Sequence, residues 1–199
     1  MVLAAREKKL FNSIAPYYGL FFNLQVRYYH RILASVRNKF DIAKFESIID
    51  LGCGTGALCY VLNQQGLRVT GADAAAKMLA IAGKKLAQTG VELREVNVLE
   101  TIPFPDKSFD IVISSYAVHG MKQGERLKMY AEMSRLAKKY VIIHDYNDRR
   151  SLIINFIERL EGGDYFNFIN QARQEMEDVF GNLMVFDVSP RAAWYVAAQ

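Results

Sequence analysis

The segment Ser47-Ile-Ile-Asp-Leu-Gly-Cys-Gly-Thr-Gly56 decides the predicted fold. Its first residues are mostly apolar and rich in β-branched side chains, which is typical of a strand buried on both faces of a parallel sheet. Gly52, Gly54 and Gly56 follow at once, and Ala57 to Gln65 can continue as a helix. A strand, a glycine loop and a helix start in this order bring bare backbone close to a ligand.

Two classes of cofactor can use such a loop. A dinucleotide would place its pyrophosphate at the helix N-terminus, and Gly52-x-Gly54-x-x-Ala57 satisfies the relaxed fingerprint for that contact. S-adenosylmethionine (SAM) brings an amino-acid group and no phosphate. Asp50 places a carboxylate where it can help to hold the ammonium of SAM, while loop amides face its carboxylate. The loop alone does not separate these two cofactors.

Composition favours one globular domain over residues 1–199, with 51% hydrophobic and 23% charged residues. The net charge is +4, from 25 basic and 21 acidic residues. The basic residues occur in pairs interleaved with acids, which indicates solvated helix faces and no nucleic-acid partner. The sequence has no bilayer-spanning apolar run and no secretory signal, so we expect a cytoplasmic protein without stable membrane insertion.

The cysteines and histidines do not indicate a metal site. Cys53 and Cys59 lie in or just after the glycine loop, which excludes a disulfide framework and favours small buried fillers. Zinc needs about four suitably spaced ligands, and His30, His119 and His144 are scattered along the chain.

Further predicted strands alternate with predicted helices. The strands are expected at 67–72, 91–98, 109–115 and 140–144, followed by a hairpin of 183–189 and 192–198. The helices are expected at 74–88, 122–137 and 151–180. This order predicts a Rossmann-like, doubly wound α/β fold with helices on both faces of the sheet. Its seven strands are mostly parallel, with an antiparallel strand from the C-terminal hairpin. Ligands of such sheets bind at the carboxyl ends of the strands.

Two helical segments are expected outside this framework. Residues 1–40 contain helices at 3–14 and up to Phe40, and their aromatic side chains suggest a lid, because ring faces attract a sulfonium cation. Simple packing of these helices onto the domain is the alternative. A membrane-surface helix ranks last, since the arginines are sparse. Residues 146–181 are expected to form a helical insertion on the substrate side.

Three segments in a fixed order resemble one enzyme family. They are Ile49 to Gly56, then Gly71-Ala-Asp73 with Met78-Leu79, then Pro103-Phe-Pro-Asp-Lys-Ser-Phe-Asp110. Together they resemble the class I SAM-dependent methyltransferases, in the broad group that includes the ubiquinone/menaquinone-biosynthesis enzymes. The resemblance runs from residue 11 to about 145 and favours SAM over a dinucleotide.

The resemblance also implies a set of cofactor-binding residues. Asp50, Gly52 and Gly54 would surround the methionyl end of SAM, and Asp73 would bind the ribose hydroxyls. An acid that usually takes the adenine amino group is replaced here by Val98. The remaining implied contacts are Met78, Asn97, Val98 and Leu99 near the adenine, Ser115 near the methyl group, and Tyr18 in the lid.

Methyl transfer needs a general base only when the acceptor is protonated at the working pH. His144 and His119 are the candidate bases. For His144 the alternative is a core histidine bonded to Asp145 or to backbone, and for His119 it is a packing or hydrogen-bonding role at a helix start.

A small-molecule acceptor is expected. The sequence Ser114-Ser-Tyr-Ala117 is not the Asn/Asp-Pro-Pro-aromatic motif of amino-directed nucleic-acid enzymes, and no cysteine follows the fourth strand. Two other classes stay open, a non-catalytic SAM-binding protein and a nicotinamide-dependent oxidoreductase.

Overall fold

A computed structural model describes residues 12–15, 17–149 and 164–199. The chain forms a seven-stranded mixed sheet and divides into two compact units, Met1–Pro103 and Phe104–Gln199. Of the helices predicted at 3–14 and 151–180, residues 3–11 and 151–163 lie outside the described residues. No helix in the described ranges combines the length and apolar character that crossing a lipid bilayer requires.

The first unit contains three parallel strands in the order β3-β2-β1. They are β1 (Ser47–Leu51), β2 (Arg68–Asp73) and β3 (Glu92–Glu95). Its helices are α1 (Phe22–Val36), α2 (Ala57–Gln64) and α3 (Ala76–Lys85), with a short 3-10 helix at Ile42–Lys44. All five residues of β1 are buried, which confirms the strand predicted before the glycine loop.

The N-terminal residues pack on the helices of this unit. Residues 12–15 and 17–20 are helical, and the Asn12 side chain accepts the Lys77 amide at 2.9 Å, at the start of α3. The buried ring of Phe22 at the start of α1 contacts Tyr60 of α2 edge-on, with 6.0 Å between centroids. Packing onto the domain is therefore observed for the described part of the predicted lid.

The second unit contains the strand order β4-β5-β7-β6. The strands are β4 (Phe109–Ser115), β5 (Ala137–Tyr146), β6 (Leu183–Ser189) and β7 (Ala192–Ala198). Its helices are α4 (Gln123–Leu136) and α5 (Tyr165–Phe180), with a 3-10 turn at Val118–Gly120. β4 and β5 are parallel, and β7 is antiparallel to both β5 and β6. The mostly parallel sheet with one antiparallel C-terminal strand is thus confirmed, and the hairpin has its predicted bounds.

Several predicted element bounds were wrong at their ends. The second helix ends at Val36, not Phe40, and residues 37–39 form a turn in which the Lys39 amide donates to the Val36 carbonyl three residues earlier. The strand predicted at 91–98 stops at Glu95, since a turn closed by Asn97 follows it. The strand predicted at 140–144 was too short, because β5 begins at Ala137 and pairs with β7 as far as Tyr146.

The buried face of α4 also differs from the predicted one. The sequence predicts an apolar side made of Leu127, Tyr130, Ala131, Ser134 and Leu136. Tyr130 and Leu136 are buried as predicted, but Leu127 is 39% exposed. The residues that α4 buries share a helical spacing and are Arg126, Met129, Tyr130, Met133 and Leu136. Because an arginine occupies one position of this buried stripe, a prediction from apolar residues alone placed the buried face of α4 partly wrongly.

Candidate cofactor and catalytic sites

The glycine loop between β1 and α2 requires its glycines. Gly52, Gly54 and Gly56 all have positive φ, of 81°, 54° and 81°. A Cβ on Gly56 would lie 2.6 Å from Leu86 Cδ1, so no side chain fits there. A Cβ on Gly54 would meet no described atom within 4 Å, so space opens in front of the backbone at this point.

Asp73, at the end of β2, holds this loop in place. Its Oδ2 accepts the Gly54 amide and its Oδ1 accepts the Ala75 amide, both at 2.8 Å. Burial raises the pKa of Asp73, and these amides oppose the shift. The amides of Gly52 and Cys53 donate to the Ala72 carbonyl at 2.8 and 3.1 Å. The three loop amides expected to face a ligand carboxylate are therefore engaged inside the unit.

Asp50 has a carboxylate oxygen that lacks a partner. The residue is 1% exposed, and its Oδ2 accepts the Cys59 thiol at 3.4 Å. Its Oδ1 is buried and has no hydrogen-bond partner within the described residues. Burial raises the pKa of Asp50 to about 7, partly offset by the thiol. Because a buried polar atom without a partner is costly, Asp50 suits a cationic donor supplied by a ligand.

The two cysteines are buried and free, as the filler interpretation predicts. They lie under the glycine loop beside Gly71 of β2. A Cβ on Gly71 would lie 2.9 Å from the Cys59 sulfur and 3.0 Å from the Cys53 sulfur. The thiols therefore fill the space that the missing side chain leaves.

The predicted adenine contacts lie in the same unit but have other partners there. Asn97 Oδ1 accepts the Leu99 amide at 3.1 Å, and its amide nitrogen donates to Glu100 at 2.8 Å. Both polar ends of this side chain are used inside its own turn. Met78 is buried against Ala15 and Ala75. The adenine contacts therefore stay predictions for Asn97, Met78, Val98 and Leu99. The predicted lid contact of Tyr18, which is 38% exposed, also stays a prediction.

In the second unit, His119 pairs with a buried carboxylate. Its Nδ1 lies 2.8 Å from Asp145 Oδ1, and its amide donates to Oδ2 at 3.2 Å. The Tyr146 amide also donates to Oδ1 at 2.8 Å, which fixes the fully buried carboxylate. From the sequence, Asp145 was a possible partner of the adjacent His144. Alternation along β5 points neighbouring side chains to opposite faces, and this signal could have separated them.

His144 has a different environment. It is 1% exposed, its Nδ1 lies 3.1 Å from the Ser115 hydroxyl, and its ring is 4.8 Å from that of Tyr116. Burial lowers the pKa of His144 to about 4, and Asp145 opposes this shift only in part. His144 is therefore neutral at pH 7 and a weak base. The structure brings His144 and Ser115 together; the predicted contact of Ser115 with SAM stays a prediction.

Aromatic rings surround His119. Its ring centroid lies 4.9 Å from Tyr146 and 6.4 Å from both Tyr116 and Phe168. Tyr116 has a φ of 51°, a left-handed conformation that is uncommon for a side chain of this size and is often found at functional sites. These rings form an aromatic wall (Tyr116, Tyr146 and Phe168) beside the ring of His119, which is paired with Asp145.

A buried ion network fixes the helix that carries Phe168. Arg126 of α4 is fully buried, and its Nε and Nη2 donate to both oxygens of Glu175 at 2.8 and 2.7 Å. Its Nη1 donates to the Met121 carbonyl at 2.6 Å and to Asp164 at 2.9 Å. Sequence analysis missed this network, which ties α4 to α5 and to the residue that precedes α5.

The chain is similar to known methyltransferases in sequence. The family model for a methyltransferase domain matches residues 48–140. The demethylmenaquinone methyltransferase of Thermus thermophilus is 34% identical over 126 residues, 59% of this chain and 55% of that protein. The ubiquinone/menaquinone biosynthesis C-methyltransferase UbiE of Francisella tularensis subsp. novicida is 32% identical, over 67% of this chain and 56% of that protein. The chain spans a little over half the length of these curated relatives.

Solved structures show the same fold. The DhpI–SAH complex aligns with a TM-score of 0.73 at 20% identity, covering 99% of this chain and 96% of that one. A putative S-adenosyl-L-methionine-dependent methyltransferase from Methanococcus maripaludis aligns with a TM-score of 0.71 at 18% identity, covering 94% and 93%. These alignments confirm the predicted Rossmann-like fold.

Proposed function

Because this chain belongs to the class I SAM-dependent methyltransferase family, we propose that it binds SAM and transfers the methyl group to a small-molecule acceptor. The observation that carries the proposal is the unpartnered oxygen of Asp50, buried beside the glycine loop. A dinucleotide pyrophosphate would bring negative charge to this carboxylate, whereas the amino-acid end of SAM brings an ammonium. The oxygen therefore favours SAM over a nicotinamide dinucleotide.

Four residues of the first unit would each contribute differently to binding of the cofactor. Asp50 would accept the ammonium of the cofactor. Gly54 would permit close approach of the ligand, since no described atom occupies the space before it. Asp73 holds the loop through two amides, and its remaining lone pairs would accept the ribose hydroxyls. Gly52 supplies the turn that joins β1 to this loop.

When bound, SAM supplies an electrophilic methyl group on a sulfonium. The protein's contribution is to align the acceptor with that methyl group and to exclude water. Alignment of this kind lowers a barrier by about 7–11 kcal/mol in favourable cases. Residues that fix orientation are therefore expected to matter more for turnover than any single charge.

His119 is the better candidate base of the two histidines. Asp145 accepts a hydrogen bond from Nδ1, which selects the tautomer in which Nε2 is the basic nitrogen and stabilises the ring once it takes a proton. His144 is buried, and its lowered pKa makes it a poor acceptor. We assign His119 the role of removing a proton from the acceptor and His144 a structural role with Ser115.

The acceptor class proposed first is a reduced quinone ring. Two relatives are named for demethylmenaquinone and for ubiquinone/menaquinone biosynthesis, and the aromatic wall beside His119 suits a planar ring. Carbon methylation of such a ring releases a proton, and His119 would accept it. A cytoplasmic location and the absence of a nucleic-acid partner belong to the same proposal and rest on the sequence composition.

The test is titration calorimetry with SAM, S-adenosylhomocysteine and NADH, followed by methyl-transfer assays with 1,4-naphthohydroquinone and other small acceptors. We expect binding of the first two ligands and none of NADH. Binding of NADH without SAM would overturn the proposal. SAM binding with no transfer to any acceptor would favour the non-catalytic alternative.

Replacing His119 by asparagine should lower turnover by about 10²–10⁴-fold, the usual contribution of a general base. SAM affinity should change little, and the limb of the pH–rate profile that reports base protonation should disappear. Asp145→Asn should also lower turnover, because it removes the acceptor that sets the tautomer of His119. His30→Asn, in the first unit, is the matched control. Full turnover of His119→Asn with a proton-releasing acceptor would contradict the assignment.

A further inference from the structure

An apolar stripe lies exposed along the N-terminal helical residues of the first unit. Tyr17, Leu20, Phe21 and Leu24 are 67%, 79%, 55% and 57% exposed. Tyr17 and Leu20 lie in the helical residues 17–20, Phe21 lies in the turn that follows, and Leu24 lies in the first turn of α1. Five of the ten large apolar side chains exposed within the described residues fall between 17 and 24, which marks this patch as unusual.

The opposite side of the same segment is already in use. A Cβ on Gly19 would touch Ile81 of α3 at 3.3 Å, and Phe22 is buried. The Gln25 side chain accepts the Thr55 hydroxyl at 3.3 Å. The exposed residues are therefore not needed to attach this segment to the unit.

Basic side chains continue the exposed stripe. Arg27 and Arg31 follow Leu24 by three and seven residues on the same side of α1, and both are exposed. Residues 8–40 contain six basic residues and no aspartate or glutamate. The outer face, defined as Tyr17, Leu20, Phe21, Leu24, Arg27 and Arg31, thus combines four exposed apolar side chains with two exposed arginines.

We propose that this outer face docks on the surface of an anionic lipid membrane. Apolar side chains can enter the boundary between headgroups and acyl chains, and adjacent arginines can contact lipid phosphates. A nucleic acid would use the arginines but leave four large apolar side chains without a role. The proposal stands without the methyl-transfer function, and together they would give the enzyme access to acceptors dissolved in the membrane.

The test is co-sedimentation of the full chain with vesicles of phosphatidylcholine alone or with 30% phosphatidylglycerol. We expect binding to the anionic vesicles that weakens with salt. Arg27→Gln/Arg31→Gln should weaken it about 30-fold, the effect of two interfacial charges. Leu20→Ser/Leu24→Ser should weaken it at least about tenfold by removing apolar burial.

Matched controls remove the same groups elsewhere. Lys128→Gln/Lys138→Gln removes two charges, and Leu127→Ser/Val179→Ser removes two half-exposed apolar side chains of the second unit. All four variants should keep the wild-type circular dichroism melt, because their side chains are exposed. The proposal would be overturned by no anionic-vesicle binding, by equal loss in the controls, or by a dimer in light scattering that Leu20→Ser/Leu24→Ser dissociates. Double-stranded DNA binding that exceeds vesicle binding would also overturn it.

Discussion

Replacing Asp50 by asparagine should abolish measurable SAM binding and at the same time stabilise the unliganded protein above pH 7. The variant keeps the shape of the side chain and an oxygen for the Cys59 thiol, but it loses the charge for the ammonium. Leaving a buried ammonium without its carboxylate costs about 3–5 kcal/mol, so the affinity for SAM should fall by at least about 100-fold. Calorimetry at pH 8 measures this loss.

The gain in stability follows from the raised pKa of Asp50, which lies at about 7 instead of 3.8. Between these two pH values the folded protein holds a proton that the unfolded chain has released. The free energy of unfolding of the wild type therefore falls as pH rises through this window. Because asparagine does not titrate, Asp50→Asn removes this pH-dependent loss of stability. The increase in the free energy of unfolding that it causes should be about 2 kcal/mol larger at pH 8 than at pH 5. Urea unfolding at both pH values measures the difference.

Asp178→Asn is the control for this experiment, because its carboxylate is exposed on α5 and contacts Gln174. It should change neither SAM affinity nor the pH dependence of unfolding. Unchanged SAM affinity in Asp50→Asn would show that the carboxylate does not hold the ammonium. A gain in stability that is equal at pH 5 and pH 8 would contradict the raised pKa.

Replacing Arg126 by methionine should lower the free energy of unfolding by about 3–5 kcal/mol, because it leaves the buried carboxylate of Glu175 without its cation. Methionine retains much of the aliphatic volume, so the loss reports on charge and hydrogen bonding. Arg126→Met/Glu175→Met should recover part of the loss, since both members of the bidentate pair are gone. Urea unfolding of single and double variants completes the cycle.

The comparison for this cycle is Arg173→Met, which removes an exposed arginine that pairs with Glu177 along the same helix. Its effect should be small because solvent screens such pairs. Equal effects of Arg126→Met and Arg173→Met would argue against a structural network. A double variant less stable than Arg126→Met alone would show that Glu175 contributes through other contacts.

The glycine loop and the positions of most strands could be predicted because each depends on local sequence. The buried run before Gly52 predicts β1, and the turn at 189–191 predicts the hairpin of β6 and β7. The carboxylates of Asp50 and Asp73 were placed correctly at the ends of the first two strands. That Asp73 holds Gly54 was not predictable, since it depends on how two separate loops approach each other.

The ion network was harder to predict but left a signal. Arg126 occupies an apolar stripe with Met129 and Met133, and Glu175 occupies one with Phe168 and Ala172. A lone charge in such a stripe predicts a buried partner of opposite sign on a neighbouring helix. The pairing of His119 with Asp145 had only a weak signal, because it joins a 3-10 turn to a strand end 26 residues later.

Asp73 accepts hydrogen bonds from the amides of both Gly54 and Ala75, and this affects the affinity of the loop for a ligand. Ordering a flexible residue costs about 1–2 kcal/mol of backbone entropy, and a loose loop would incur this at every residue on binding. Here the protein itself fixes the loop before any ligand arrives. Preorganisation of this kind leaves more of the interaction energy available for affinity, and it predicts that the loop backbone is as rigid without ligand as with it.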